Sequence, residues 1–238
     1  MAGHDKKLPE KKASKDVEAF LKKVAATPVT TRPGGRGRLI FALDATASRQ
    51  PAWDQAAQIQ GEMFVETSSL GGLEIQLAFF RGFGEFKVSP WLSEATELLR
   101  RMTSVFCSAG ETQIGKVLKH ATNESKKQRV NALIYVGDSM EEDIDKLGKV
   151  AGELGLLGVP AFMFHEGDDP IAEFGFKQIA KLTNGAYCQF DSSSPQVLKE
   201  LLSAVAVFAA GGRLALEDLA KRRGGAALQL AHQVNKGS

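Results

Sequence analysis

What most constrains the fold of this chain is a set of five short apolar runs: LIFAL (39–43), LEIQLAFF (73–80), VNALIYVG (130–137), PAFMFH (160–165) and AYCQF (186–190). They lack the strict polar alternation of a half-exposed strand, which is the pattern of strands covered on both faces. Helical spacing fills the stretches between them, at Pro51–Ser69, Pro90–Met102, Gln113–Ser125, Met140–Leu157, Ile171–Thr183 and Pro195–Ala210. A further strand, Gly82–Val88, follows 73–80 through a tight turn and so pairs antiparallel at an edge. Strands alternating with helices imply right-handed crossovers and a sheet with helices on both faces. The expected architecture is therefore Rossmann-like, doubly wound α/β, with a mainly parallel six-stranded sheet and one antiparallel edge strand.

With 238 residues and 43% hydrophobic content, one core domain plus tails is expected. The domain is placed at 37–211. Residues 1–36 form a basic tail and linker containing a short amphipathic helix, Ser14–Val24, with Val17, Phe20, Leu21 and Val24 on one face. Residues 212–238 form a basic, amphipathic tail, which either packs on the domain or docks into a partner groove.

The net charge of +2 hides a segregation of charge. Residues 1–38 carry ten Lys or Arg against four Asp or Glu, residues 212–238 five against two, and the body between them 15 against 22. Basic ends can touch nucleic acid or an acidic surface, but a solvated tail is the favoured reading. No run reaches the roughly 18 to 20 apolar residues of a membrane helix, and no apolar signal region opens the chain. Cys107 and Cys188 make no disulfide framework and read as buried thiols. A cytoplasmic setting is the expectation.

In an open α/β sheet, ligands sit beyond the carboxyl ends of the strands, where strand order reverses. Asp44 and Asp138 each follow an apolar strand directly. Around that crevice the sequence offers Asp44, Thr46 and Ser48 on one loop, Thr112 at the start of a helix and Asp138 on a third segment. Two carboxylates and three hydroxyls are hard oxygen donors, suited to Mg²⁺, with Mn²⁺ or Ca²⁺ as substitutes, and unsuited to zinc. Each residue alone also reads as a helix cap or a turn residue.

Taken in order, the segments DATAS (44–48), GETQIG (110–115) and YVGDS (135–139) resemble the von Willebrand factor A (vWA) family and its metal-ion-dependent adhesion site. That pattern is DxSxS on a first loop, Thr on a second and Asp on a third. The resemblance spans about 37–210 and departs at Thr46, where Ser is usual and where an added methyl stands beside the ion. It implies metal ligation by Asp44, Thr46, Ser48, Thr112 and Asp138, with one coordination position left for an Asp or Glu of a partner protein. It also implies an intracellular binding module working within a multiprotein assembly; no Ser-His-Asp, GxSxG or Cys-His arrangement is found, and no catalysis is expected.

The enzymatic alternative is a haloacid dehalogenase-like phosphatase with Asp44 as nucleophile, because GDSMEED (137–143) imitates that family's late motif. The general acid two residues after the nucleophile is missing, since Thr46 stands there. TRPGGRGR lies before the first strand, on the wrong side for a phosphate loop. His120 and His165 read as packing residues, His4 and His232 as tail residues, and Trp53 and Trp91 as core anchors. Glu141, Glu142, Asp143 and Asp145 read as an acidic helix start.

Overall fold

The computed structural model describes residues 19–24, 26, 36–191 and 195–223. The predicted helix residues before 19, most of the linker, His4, His232 and the tail beyond 223 lie outside them.

Six strands form one sheet in the order β3-β2-β1-β4-β5-β6. They are β1 (Gly37–Asp44), β2 (Leu73–Arg81), β3 (Glu85–Leu92), β4 (Ala132–Gly137), β5 (Ala161–Glu166) and β6 (Ala186–Phe190). All pairings are parallel except β2 with β3. Strand order reverses at β1, which lies between β2 and β4, so the loops leaving β1 and β4 diverge and open a crevice. Asp44 and Asp138 stand at its mouth, because Leu43 pairs with Val136 and each acid ends or follows its strand.

Both faces of the sheet are covered, as the unbroken apolar runs require. Leu39, Phe41 and Leu43 of β1 join Ala132, Ile134 and Val136 of β4 in one core layer, while Ile40, Ala42, Leu133 and Tyr135 join the other. Helix α1 (19–24), α2 (Gln50–Ile59), α3 (Gly61–Thr67), α4 (Ala95–Thr103) and α8 (Pro195–Arg223) cover the first layer. Helices α5 (Ile114–Lys127), α6 (Ile144–Leu156) and α7 (Pro170–Leu182) cover the second. Gly37 is required where α8 crosses β1, because a Cβ there would lie 2.5 Å from the Ala209 carbonyl oxygen. Cys107 and Cys188 form no disulfide, and burial pushes the Cys107 thiol up to about 11, so it stays a protonated thiol at neutral pH. Trp53 is buried and donates to the Met102 carbonyl at 2.9 Å. Among the described residues no helix is long and apolar enough to cross a membrane.

Five expectations about elements need correction. The strand read as ending at Val88 runs to Leu92, and the helix read from Pro90 begins at Ala95. Proline is tolerated there because β3 is an edge strand and bulges at this point. The Ser89 hydroxyl takes the place of a ladder carbonyl by accepting from the Leu77 N–H at 3.0 Å.

The single helix expected at Pro51–Ser69 is two helices that break at Gln60–Gly61, where glycine removes about 1 kcal/mol of helix preference. Helix α6 starts at Ile144, not Met140, because Asp143 caps it through the N–H groups of Asp145 and Lys146. Helix α8 passes the expected end at Ala210, turns at Gly212 (φ 71°, ψ −165°) and continues to Arg223, burying Ala215, Leu216 and Leu219.

Candidate metal centre

The structure brings the predicted donors together above the β1/β4 switch point. Asp44 is 2% exposed, and its Oδ1 accepts from the Thr46 backbone N–H at 2.7 Å. The Ser48 hydroxyl donates to Asp138 Oδ2 at 2.8 Å, tying the first loop to the third. Thr112 exchanges two bonds with the residue three past Asp138: its N–H donates to Glu141 Oε2 at 2.8 Å, and its Oγ1 accepts from the Glu141 N–H at 3.1 Å. Thr46, Ser48, Gly110, Thr112, Ser139 and Glu141 line one open cleft of about 250 Å³. Neither Asp44 nor Asp138 forms part of its wall.

The capping alternative does not account for these side chains. Thr46 precedes the 3-10 turn Ala47–Arg49 without a side-chain cap bond, and the residue before α5 is Gln113, which makes none either. Among the described residues, the acids that cap their own helices are Asp143 and Asp169. Instead, two carboxylate oxygens, Asp44 Oδ2 and Asp138 Oδ1, are buried with no hydrogen-bond partner. A buried polar atom without a partner loses its hydration for nothing in return, so such atoms mark an absent ligand, ion or water. Burial pushes the Asp44 carboxyl up to about 6, opposed by its bonds to Thr46 and reinforced by the Asp138 charge.

Charge and donor type decide what this arrangement can hold. Among the described residues no three His, Cys, Asp or Glu side chains gather as metal ligands, so an ion here depends on hydroxyls as well as carboxylates. The two orphaned oxygens and three nearby alcohols fit a hard divalent cation with incomplete protein ligation.

Two residues that sequence reading passed over, Arg49 and Glu166, border the site. Arg49, 3% exposed, pairs with Glu166 and lies 4.0 Å from Asp138 Oδ2. No local signal identifies it, because both partners stand on other strand ends. His165 is buried, with Nε2 3.3 Å from the Asp138 carbonyl oxygen and Nδ1 2.9 Å from the Tyr187 hydroxyl. A carbonyl only accepts, so Nε2 carries the proton and the tyrosine donates to Nδ1; burial lowers the imidazole pKa and keeps it neutral. The packing role expected of His165 thus includes fixing the Asp138 backbone. His120 meets Gln76 Oε1 at 2.7 Å, away from the site. Trp91 donates to Glu124 at 3.0 Å and carries the Arg38 guanidinium on its ring. Glu142, read as part of an acidic helix start for α6, accepts instead from the first N–H groups of α5, at Ile114 and Gly115.

No family model and no curated protein sequence matches the chain. Solved structures do match its fold. The VWA domain of SpRpn10 is 16% identical over 71% of this chain and 94% of that one, with a TM-score of 0.55. The vWF domain of the type V pili tip protein Mfa5 from Porphyromonas gingivalis is 9% identical over 72% and 95%, with a TM-score of 0.57. The human COPII-coat protein Sec24c is 13% identical over 74% of this chain but only 33% of its own, with a TM-score of 0.51.

Proposed function

Starting from a vWA-type fold, we propose that this chain is a protein-binding module in which a divalent cation, Mg²⁺ with Mn²⁺ or Ca²⁺ as substitutes, bridges the domain to an Asp or Glu of a partner protein. The observation that carries the reading is the pair of orphaned, buried carboxylate oxygens beside three hydroxyls. Two neighbouring carboxylates, one of them taken out of water, repel each other and want a positive charge.

Asp44, Thr46, Ser48, Thr112 and Asp138 would hold the ion. Bound there, it supplies a concentrated positive charge to which a partner carboxylate adds as a ligand. The protein residues divide the remaining work. Ser48 fixes Oδ2 of Asp138 and leaves Oδ1 free. Glu141 holds Thr112 at the cleft wall from both its N–H and its hydroxyl. His165 anchors the backbone from which Asp138 projects.

The similar structures include a coat protein and a pilus tip protein by their printed names, which supports work within an assembly. Two thiols without a disulfide are compatible with the cytoplasmic setting we propose. We propose no catalysis: without an acid at position 46, a generic aryl phosphate with Mg²⁺ should release no phosphate above background, and release that Asp44→Asn removes would install the phosphatase reading instead.

The deciding measurement is calorimetry of Mg²⁺ and Mn²⁺ against the wild type and Asp138→Ala. The wild type should bind one ion, and the variant should lose at least about tenfold in affinity while melting as a folded protein. Equal heats for the two proteins would leave an array of turn and loop contacts and no ion site.

A further inference from the structure

A guanidinium stands inside the proposed site and has a part in it that ion binding alone does not explain. Arg49 closes the 3-10 turn after β1, Asp138 follows β4 and Glu166 ends β5, so one cation spans three neighbouring strand ends. The side chain of Arg49 is 3% exposed, that of Glu166 15% and that of Asp138 26%. A guanidinium keeps its proton in any protein setting, so Arg49 is a permanent positive charge at the place where a metal would act.

The direction of that charge follows from its partners. Nη1 pairs directly with Glu166 Oε2 and lies 4.0 Å from Asp138 Oδ2, beyond hydrogen-bonding length. Asp138 Oδ2 is satisfied by the Ser48 hydroxyl at 2.8 Å. Glu166 thus holds the guanidinium toward β5 and away from the acid that the ion needs. Without Glu166, the acid left in ion-pair range of Arg49 among the described residues is Asp138, with the Asp44 charge also close enough to act on it, and the guanidinium would close on this pair.

We propose that Arg49 and Glu166 form a charge latch that sets the ion affinity of this site, Arg49 being an internal cation that competes with the metal for Asp138 and Glu166 the group that restrains it. The proposal rests on the ion-site reading given above. It assigns a positioning part to two residues outside the five donors. It also makes the site adjustable: anything that pulls Glu166 off Arg49 closes the site to metal.

The test is titration of MgCl₂ and MnCl₂ into the wild type, Arg49→Gln, Glu166→Gln and the double variant, by calorimetry and by the Mn²⁺ paramagnetic resonance signal, with circular dichroism reporting the fold. Arg49→Gln removes a positive charge and leaves Glu166 unopposed, so its ion affinity should rise by about tenfold or more. Glu166→Gln should lower affinity by a similar factor. The double variant, losing one charge of each sign, should return to within about threefold of the wild type.

A purely structural part for the pair would weaken binding in both single variants, so the opposite signs are the signature. If Arg49→Gln does not fold, Arg49→Met takes its place as the neutral variant: a rise in its ion affinity supports the latch and a fall overturns it. Ion uptake by Arg49→Gln with none by the wild type supports the latch. A wild type that binds ion beside single variants that do not diverge overturns the latch alone. No uptake by either the wild type or Arg49→Gln overturns the ion-site reading, and the latch with it.

Discussion

Replacing Asp44 by Asn is expected to make the ion-free protein more stable at pH 7.5, by about 3 kcal/mol, and to abolish any stabilisation of the kind we propose Mg²⁺ gives the wild type. Burial moves the Asp44 carboxyl from 3.8 to about 6, and holding it ionised at neutral pH therefore opposes folding at about 1.4 kcal/mol per pH unit of that difference. The sign follows from the raised value. The destabilisation is fully present above about pH 6, fades as pH falls toward 3.8, and is absent below that, where both folded and unfolded chains carry the neutral acid. Asn keeps the acceptor that the Thr46 N–H uses and removes the charge. For a domain of this size the gain corresponds to about 6 to 12 °C in Tm.

His165 works in the opposite sense within the same window. Burial lowers its pKa, so its contribution is present above the ordinary imidazole value and is lost as pH falls. Glu142, raised by burial, follows Asp44. The clean observable is therefore the difference between wild type and Asp44→Asn at each pH, with chelator and again with Mg²⁺ at about 100 times its Kd. In the second series the ion should return about 2.7 kcal/mol to the wild type and nothing to the variant. A variant that is less stable at pH 7.5, or a difference that stays flat from pH 4 to 8, would show that Asp44 is not a strained, ion-seeking carboxylate.

Why the candidate donors were readable and the Arg49–Glu166 pair was not is a matter of range. Asp44 and Asp138 announce themselves because each ends an apolar run, and the end of a buried parallel strand is a defined place in three dimensions. LIFAL and VNALIYVG were legible as buried strands for the same reason, since only a central strand hides both faces. Glu166 also ends a strand, but it belongs to no spaced motif, and its meaning comes entirely from Arg49 across the crevice. Arg49 in turn looks like an ordinary charge at a helix start.

Pro90 misled through a local rule that tertiary context reverses. Proline opens helices, yet on an edge strand with a bulge it is equally at home, and Ser89 supplies the acceptor that the bulge displaces. Glycine misled twice, at Gly61, where apolar spacing ran straight across a break, and at Gly212, where a helix turned without ending. The amphipathic face of Phe20, Leu21 and Val24 was visible, but nothing in a lysine-rich segment shows whether such a face has a sheet to cover.

Phe20→Ala is expected to cost about 3 to 5 kcal/mol of global stability, a loss typical of a buried core aromatic and far above that of a residue in a tail. Phe20 is 1% exposed and meets Phe162 and Phe164 of β5 edge-on, with ring centroids at 6.0 and 5.3 Å. Phe162 in turn meets Phe208 of α8 at 5.5 Å. Val24, one helical turn on, is fully buried. Helix α1 thus belongs to the layer that covers β5, and truncating its aromatic leaves a cavity beside Phe162 and Phe164 that fixed strands cannot collapse to fill. Phe20→Leu keeps most of the volume and should cost only about 1.5 kcal/mol or less.

Urea denaturation separates this from the alternative. If α1 is part of the cooperative unit, Phe20→Ala lowers the midpoint and leaves the m-value unchanged; if α1 merely rests on the domain, its loss costs under about 0.5 kcal/mol. The Mg²⁺ affinity should stay within about threefold of the wild type in either case, because β5 reaches the candidate metal centre only through its far end, at His165 and Glu166. A stability loss below about 1 kcal/mol would remove α1 from the core and return residues 19–24 to the tail in which sequence alone had placed them.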